Sequence, residues 1–157
     1  MANRFFEISG SDPYVASVIL FGQSVSSIKS RLPEGTPEFD KVRSALLIPE
    51  VLEYLEQENI QDVALVDIET HVCVAQTALE ILEHGYKVAI LADAVSSSSA
   101  QERMLALQRM LSAGTIINSV EAWAYEALRS AQHPSFVPAS TLLEEIRLEN
   151  GDFEANL

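Results

Sequence analysis

The stretch VALVDIETHVCVAQTALEILEHGYKVAILAD, residues 63–93, joins two apolar runs through a segment with helical spacing. The first run, VALVDI (63–68), is apolar at every position except Asp67, which is typical of a strand covered on both faces. The middle part, VCVAQTALEILEH (72–84), has the pattern of a helix, and KVAILAD (87–93) has that of the next buried strand. The stretch therefore predicts one β-α-β unit with parallel strands.

The same alternation continues on both sides of this unit. Upstream, IPEVLEYLEQEN predicts a helix in which Pro49 occupies the first turn, where its missing N–H costs nothing. Downstream, Ser99 and Glu102 have the spacing of a capping box at the start of a helix, and Gly114 ends that helix. Helices on either side of the two strands indicate a repeating α/β chain rather than an isolated motif.

The last part of the alternation is TIINS (115–119), a short strand, followed by an amphipathic helix that Ser119 begins. The order β-α-β-α-β-α predicts a parallel sheet with right-handed crossovers and helices on both faces. Specifically, residues 63–119 are predicted to form three parallel strands joined by two crossover helices. Sheets of this kind bind ligands beyond the carboxyl ends of their strands.

Composition limits the classes of function. The chain has 157 residues, of which 48% are hydrophobic, and this is enough for one domain with its own core. Its formal net charge of -13 opposes binding to nucleic acid or to anionic membranes, which requires clustered Lys and Arg. Three features predict a cytoplasmic location. The single cysteine cannot form an internal disulfide, no apolar run approaches the ~20 residues of a membrane span, and the start of the sequence lacks a signal peptide's apolar region.

The single cysteine, Cys73, comes just after the carboxyl end of the strand 63–68, in the first turn of the predicted helix. Unpaired backbone N–H groups and the helix dipole stabilise a thiolate at such a position. The N–H groups of Val72 and Cys73 are candidates for an oxyanion hole. The alternative is a small buried hydrophobic residue, which free cysteine often is, and position alone leaves both interpretations open.

A longer block, VDIETHVCVAQTALEILEHGYKVAILADAVSSSSAQERMLALQRMLSAGTIINSVEA (66–122), resembles the isochorismatase-like hydrolase superfamily. The closest subgroup is that of the isochorismatase domain-containing proteins, whose flanking parts resemble FDKVRSALLIPEVLEYL and HPSF in this chain. The resemblance spans residues 22–137. It implies a Rossmann-like three-layer α/β/α fold with a mainly parallel sheet, and a catalytic triad of cysteine, lysine and aspartate.

The resemblance also implies roles for individual residues. Cys73 matches the nucleophile, Lys41 matches the triad lysine, and a cis peptide bond is implied between Ile68 and Glu69. In such a set a carboxylate removes the thiol proton, while the lysine cation keeps the carboxylate ionised and favours the thiolate. The chemistry requires all three groups, so the identity of the acid decides whether the site is complete.

The family's aspartate normally lies in a D-x-Q motif on the first strand, and no such motif is visible in this chain. Residues 1–21 form an atypical N-terminal segment in place of the family's first β-α-β unit. Its nearest carboxylates, Glu7 and Asp12, do not end an apolar strand. Asp67 replaces the family's glycine next to the implied cis peptide; it is either a substitute acid that partners Lys41 or only an unusual charge at the end of a strand.

Two functions therefore remain open. The first is a cysteine hydrolase that acts on a small amide, carbamoyl or vinyl-ether substrate; the second is an inactive relative or truncated isoform that serves as a binding or assembly module. No cofactor or metal is predicted, because the metal-binding aspartate and histidines of nicotinamidase-like relatives have no match, and His71, His84 and His133 are assigned structural positions. Apolar sheet edges left by the absent unit predict a homo-oligomer.

A single domain is predicted over residues 1–137. The remaining residues, 138–157, are predicted to form one or two helical turns and then an acidic tail without regular structure.

Overall fold

The computed structural model describes residues 15–18, 26–30, 32 and 34–150 of the chain. Most of the predicted N-terminal segment 1–21, including Glu7 and Asp12, lies outside the described residues, as does the tail beyond residue 150. In chain order the elements are β1 (Val15–Val18), α1 (Ser26–Lys29), β2 (Glu38–Lys41), α2 (Pro49–Gln57), β3 (Asp62–Ile68), a π-helical turn (Thr70–Val74), α3 (Ala75–Glu83), β4 (Lys87–Ser96), α4 (Ala100–Ala113), β5 (Ile116–Asn118), α5 (Val120–Leu128) and α6 (Phe136–Asn150).

The strands β3, β4 and β5 form one sheet in that order, and both pairings are parallel. Val63 pairs with Val88, and Ile90 pairs with Ile117. The prediction of three parallel strands with two crossover helices over residues 63–119 is therefore confirmed. The mixed α/β architecture, with a parallel sheet and helices on both sides, is the predicted fold class.

The strands β1 and β2 form a separate parallel pair, in which Val18 is the partner of Lys41. Within the described ranges, the strands thus lie in two parallel sheets rather than in one continuous sheet. Lys41 is the last residue of β2, and Cys73 follows the last residue of β3, so each lies at or beyond the carboxyl end of a strand.

Local signals in the sequence set the ends of the helices. The Ser99 hydroxyl accepts a hydrogen bond from the Glu102 N–H at 3.3 Å and caps α4. Ser119 caps α5 in the same way, through the Ala122 N–H at 3.1 Å. Gly114 closes α4 with a φ of 109°, a left-handed conformation that favours glycine. Both ends of α4 and the start of α5 therefore lie where the sequence predicts.

Helices and strands share one large apolar cluster, which we call the main core. Its fully buried residues come from α2, α3, α4 and the sheet, and they include Val51, Leu55, Ile81, Ile90 and Met110. Val51 and Leu55 lie four positions apart and so face the same side of α2. Full burial of each such side chain contributes about 1.5–3 kcal/mol, which makes this cluster the principal source of stability.

The C-terminal part of the chain differs from the prediction. One or two helical turns were expected after residue 137, whereas α6 runs from Phe136 to Asn150, so the expected boundary falls inside a helix. The reason is tertiary packing, because Ala139 and Leu143, one turn apart on α6, are buried against α5 in a second apolar cluster. Because the sequence of this segment is acidic, its composition did not indicate that two apolar residues form a buried face.

Candidate active site at the ends of two parallel strands

Lys41 is the last residue of β2, and only 2% of it is exposed. Its ammonium group donates hydrogen bonds to the carbonyl oxygens of Arg43 at 3.1 Å and Ser44 at 2.6 Å. An ammonium group removed from water requires such partners, because its desolvation would otherwise cost several kcal/mol. Lys41 therefore differs from an ordinary solvated surface lysine. We refer to residues 41–47, which begin with it, as the lysine segment.

Cys73 lies in the π-helical turn Thr70–Val74, here called the cysteine turn, which joins β3 to α3. The turn begins two residues before the predicted helix start and is wider than an α-helical turn. The peptide bond between Ile68 and Glu69 is cis, at the position that the family resemblance implies. Cys73 is half-buried. It lies beyond the carboxyl end of β3, where ligands bind in parallel sheets.

The backbone of the cysteine turn alters the prediction for the oxyanion hole. The Val72 N–H donates to the Glu69 carbonyl oxygen at 3.1 Å, and the Val74 N–H donates to the same oxygen at 3.3 Å. An N–H that is satisfied within the turn is not directed at a substrate. The structure therefore does not support Val72 as an oxyanion donor, which leaves the Cys73 N–H as the candidate.

Asp67 is partly buried near the end of β3, and one of its carboxylate oxygens accepts the Ile68 N–H at 2.7 Å. Burial raises the pKa of Asp67 above its usual value, while the Ile68 hydrogen bond and the positive charge of Lys41 act in the opposite direction and only partly compensate. Asp67 is therefore within electrostatic reach of Lys41. Its carboxyl group also holds a proton more readily than it would in water.

A second polar cluster connects the cysteine turn to the loop after β4. The Glu69 carboxylate accepts the Ser98 N–H at 2.7 Å and the Ser98 hydroxyl at 3.0 Å, and the N–H bond is the main cause of a lowered pKa of Glu69. His71 Nδ1 lies 3.1 Å from the Ser97 hydroxyl and 3.6 Å from the Glu69 carboxylate. These contacts, together with the Thr70 hydroxyl on the Ser96 carbonyl at 2.9 Å, fix the turn to the end of β4.

The lysine segment is attached to the cysteine turn through α3. The Thr77 hydroxyl accepts the Leu46 N–H at 2.8 Å and donates to the Cys73 carbonyl oxygen at 2.6 Å. One turn further along α3, Glu80 forms an ion pair with Arg43. The sequence does not predict the attachments of Leu46 and Arg43, because their partners lie 31 and 37 positions away and no local pattern connects them.

Among the described residues, no three His, Cys, Asp or Glu side chains come together in a group that could hold a metal ion. In the same part of the chain, no helix is both long and apolar enough to cross a membrane.

An α/β fold with Cys73 beyond the carboxyl end of β3 and a buried Lys41 at the end of β2 agrees with what the resemblance to the isochorismatase-like class implies. The chain belongs to the isochorismatase family, because the family model for the isochorismatase domain matches residues 14–122.

Similar proteins agree with this assignment. The chain is 40% identical over 136 residues to the secreted isochorismatase effector Isc1 of Phytophthora sojae, a match that covers 83% of this chain and 64% of that protein. It is 36% identical over 114 residues to isochorismatase domain-containing protein 1 of Danio rerio, which covers 72% of this chain and 40% of that protein. The chain therefore spans less than two thirds of the length of these curated relatives.

The fold also matches solved structures. The structure of the MAR1 ribonuclease from Caenorhabditis elegans is similar with a TM-score of 0.78 and 36% sequence identity. The match covers 83% of this chain and 68% of that chain. The isochorismatase-like fold is therefore supported by both sequence and structure.

Proposed function

We propose that the protein is a cysteine hydrolase that acts on a small amide, carbamoyl or vinyl-ether substrate, with Cys73 as nucleophile and Lys41 as the cation of the site. The observation that carries this proposal is the burial of Lys41, whose ammonium group is held by backbone carbonyls and acts electrostatically on Asp67. Lysine is rarely buried without a partner, and buried ionisable groups are concentrated at functional sites.

The proposed reaction uses the groups at the two strand ends. The Asp67 carboxylate accepts the Cys73 thiol proton, and the thiolate forms a bond to the carbonyl carbon of an amide. The carbon–nitrogen bond then breaks as the nitrogen takes up that proton and leaves as an amine. Water hydrolyses the thioester and restores the thiol. The Cys73 N–H is the proposed donor to the oxyanion of the tetrahedral intermediate.

The site also contains an observation that favours the second candidate, a catalytically inactive binding or assembly module. The D-x-Q aspartate of the family has no match in this sequence, and one carboxylate oxygen of Asp67, the candidate substitute, already accepts the Ile68 N–H at 2.7 Å. Loss of an effective base lowers the rate by about 10² to 10⁴.

Hydrolysis of a panel of small amides, carbamoyl compounds and vinyl ethers tests the proposal. We expect a weak activity that Cys73→Ala abolishes and Cys73→Ser reduces by at least about 10²-fold, because the thiolate is the attacking group. Asp67→Asn is the next variant, and it should lower the rate by a similar factor if Asp67 is the base. Activity that persists in Cys73→Ala contradicts the proposal.

Alkylation of Cys73 by iodoacetamide separates the two candidates. A reactive thiol that performs no hydrolysis supports the binding module, and a thiol no more reactive than a cysteine of similar exposure contradicts both the nucleophile and the role of Lys41. Lys41→Met is the matched variant, because it keeps a long side chain in the buried position while removing the charge.

We propose two kinds of partner, a small-molecule substrate and further copies of the same chain. A small molecule is favoured over nucleic acid as substrate, because the net charge of -13 opposes phosphate binding. We also propose a cytoplasmic location and a homo-oligomer. Light scattering of the purified chain tests the second, and a mass equal to one chain contradicts it.

A further inference from the structure

Thr77 has no exposed surface, and its hydroxyl makes two hydrogen bonds. A threonine inside a helix often donates to the carbonyl four positions earlier, and the bond to the Cys73 carbonyl at 2.6 Å is of this ordinary kind. The second bond is not local, because the hydroxyl accepts the Leu46 N–H at 2.8 Å from another segment of the chain. Thr77 therefore contacts the cysteine turn and the lysine segment through one oxygen atom.

The lysine segment carries this contact back to the ammonium group of Lys41. Lys41 donates to the carbonyls of Arg43 and Ser44, and the Leu46 N–H lies two residues further along the same segment. A short series of hydrogen bonds thus runs from the ammonium group, through the backbone of the lysine segment, to the carbonyl of Cys73. Buried chains of this kind fix the relative positions of the groups they connect.

The fold itself supplies a contrast to Thr77. Thr115 is also buried, and its hydroxyl finds no hydrogen-bond partner among the described residues. A buried threonine hydroxyl is therefore tolerated elsewhere in this protein without any bridging contact. Thr77 differs from Thr115 because its hydroxyl satisfies a backbone N–H of the lysine segment and a backbone carbonyl of the cysteine turn.

We propose that Thr77 is a positioning residue whose hydroxyl holds the lysine segment against the cysteine turn and thereby sets the separation of Lys41 and Cys73. This inference rests on the proposed function, in which Lys41 is the cation of the site, and it adds that the charge of Lys41 favours the Cys73 thiolate. Without the hydroxyl, the two segments lose their common anchor, and the ammonium group acts on the thiolate less effectively.

The experiment measures the rate of Cys73 alkylation by iodoacetamide across a range of pH. Thr77→Val has nearly the same shape as threonine and removes both hydrogen bonds, Thr77→Ser retains the hydroxyl, and Thr115→Val is the matched control. We expect Thr77→Val to move the pH profile to higher pH and to lower the rate at neutral pH about tenfold, as expected for a less stabilised thiolate. Thr77→Ser should restore the rate to within about twofold, and Thr115→Val should leave the profile unchanged.

A double-mutant cycle shows whether Thr77 acts through Lys41. In the Lys41→Met background, Thr77→Val should cause no further change, because the charge that it positions is absent. An additional tenfold loss in that background overturns the inference, as does a Thr77→Val variant that is less stable but has an unchanged pH profile. If Lys41→Met alone leaves the profile unchanged, the role of Lys41 in the proposed function fails, and the inference fails with it. If hydrolysis persists in Cys73→Ala while the cycle shows coupling, only the proposed function fails.

Glu80→Gln keeps the inference testable if Thr77→Val does not fold. The Arg43–Glu80 ion pair is the other attachment of the lysine segment to α3, and it is partly solvent-exposed, so its loss leaves the core intact. We expect a shift of the alkylation profile in the same direction with a reduction in rate of about twofold. An unchanged profile in Glu80→Gln, together with an unfolded Thr77→Val, overturns the inference.

Discussion

The main core and the small cluster between α5 and α6 are both apolar, but they differ in the polar groups they enclose. Four polar side chains are buried among the described residues. Lys41, Thr70 and Thr77 make hydrogen bonds to backbone groups, whereas Thr115 does not. At the small cluster the charged pair of Arg147 and Glu121 remains at the solvent-exposed rim. The three buried polar side chains that are hydrogen-bonded to the backbone therefore belong to the lysine segment, the cysteine turn and the adjoining part of α3.

This difference separates two kinds of contribution to the protein. Loss of a hydrogen bond beside the main core leaves a buried donor or acceptor without its partner and also displaces a segment of the site. Truncation of a side chain between α5 and α6 removes only packing. Substitutions beside the main core should therefore change both stability and Cys73 reactivity, and substitutions in the small cluster should change stability alone.

The largest effect is expected in the main core itself. Ile81→Ala should lower the free energy of unfolding by about 2–5 kcal/mol, because Ile81 is fully buried and its truncation leaves a cavity. Urea denaturation measures this loss. Leu111→Ala is the control, because Leu111 is exposed on α4 and its truncation should change stability by less than about 0.5 kcal/mol. A similar loss in both variants contradicts the assignment of the main core.

A somewhat smaller loss, about 2 kcal/mol, is expected from Leu143→Ala in the small cluster, where the neighbouring side chains are few and can partly close the cavity. The important measurement is the alkylation rate of Cys73, which should remain unchanged. Leu148→Ala on the same helix is the control, since Leu148 is exposed. A change in alkylation rate after Leu143→Ala would remove the distinction between the two regions.

Thr70→Val tests the polar side of the main core. It removes the hydrogen bond from the Thr70 hydroxyl to the Ser96 carbonyl, which should lower the free energy of unfolding by about 1–2 kcal/mol. Because Thr70 begins the cysteine turn, the alkylation rate of Cys73 should change as well. Thr115→Val serves as the control, because it removes a buried hydroxyl that has no partner among the described residues; it should not lower the stability and should leave the alkylation rate unchanged. A loss of stability without a change in the alkylation rate of Cys73 would show that Thr70 contributes to stability alone.

The smallest effect concerns Glu69 and depends on pH. Its pKa in the folded protein lies below the usual 4.5, so its ionised form stabilises the fold above pH 4.5, and this contribution is lost as the pH falls through the lower folded value. Glu69→Gln should therefore melt slightly below the unsubstituted protein at neutral pH and show no difference in strongly acidic solution. Thermal unfolding at a series of pH values checks this, and a difference that is independent of pH would be inconsistent with it.

The fold from β3 to α5 was predictable because its signals are local. Apolar runs mark the strands, and Ser99, Ser119 and Gly114 mark helix ends through bonds to residues only a few positions away. The start of the cysteine turn was misplaced by two residues, since a change of period does not show where a π-helical turn begins. The length of α6 was missed because its stability depends on burial against α5.

The sequence predicted individual residues of the site but not the contacts between them. The position of Cys73 follows from the rule that ligands bind beyond the carboxyl ends of parallel strands, whereas the role of Lys41 comes from family resemblance. The contacts of Thr77 with Leu46 and of Glu69 with Ser98 depend on how distant segments meet in three dimensions. Neither spacing nor composition contains that information.

The strand β4 lies between β3 and β5 in the sheet. Because Ala89 and Ile90 of β4 are paired with β3 on one side and with β5 on the other, their amide hydrogens should be among the slowest to exchange with solvent. Ser98, in the loop after β4, holds Glu69, and Ser96, the last residue of β4, holds Thr70, so the cysteine turn is attached to the end of this central strand. We therefore expect a local opening that admits a ligand to begin on the side of the lysine segment, where faster amide exchange would reveal it.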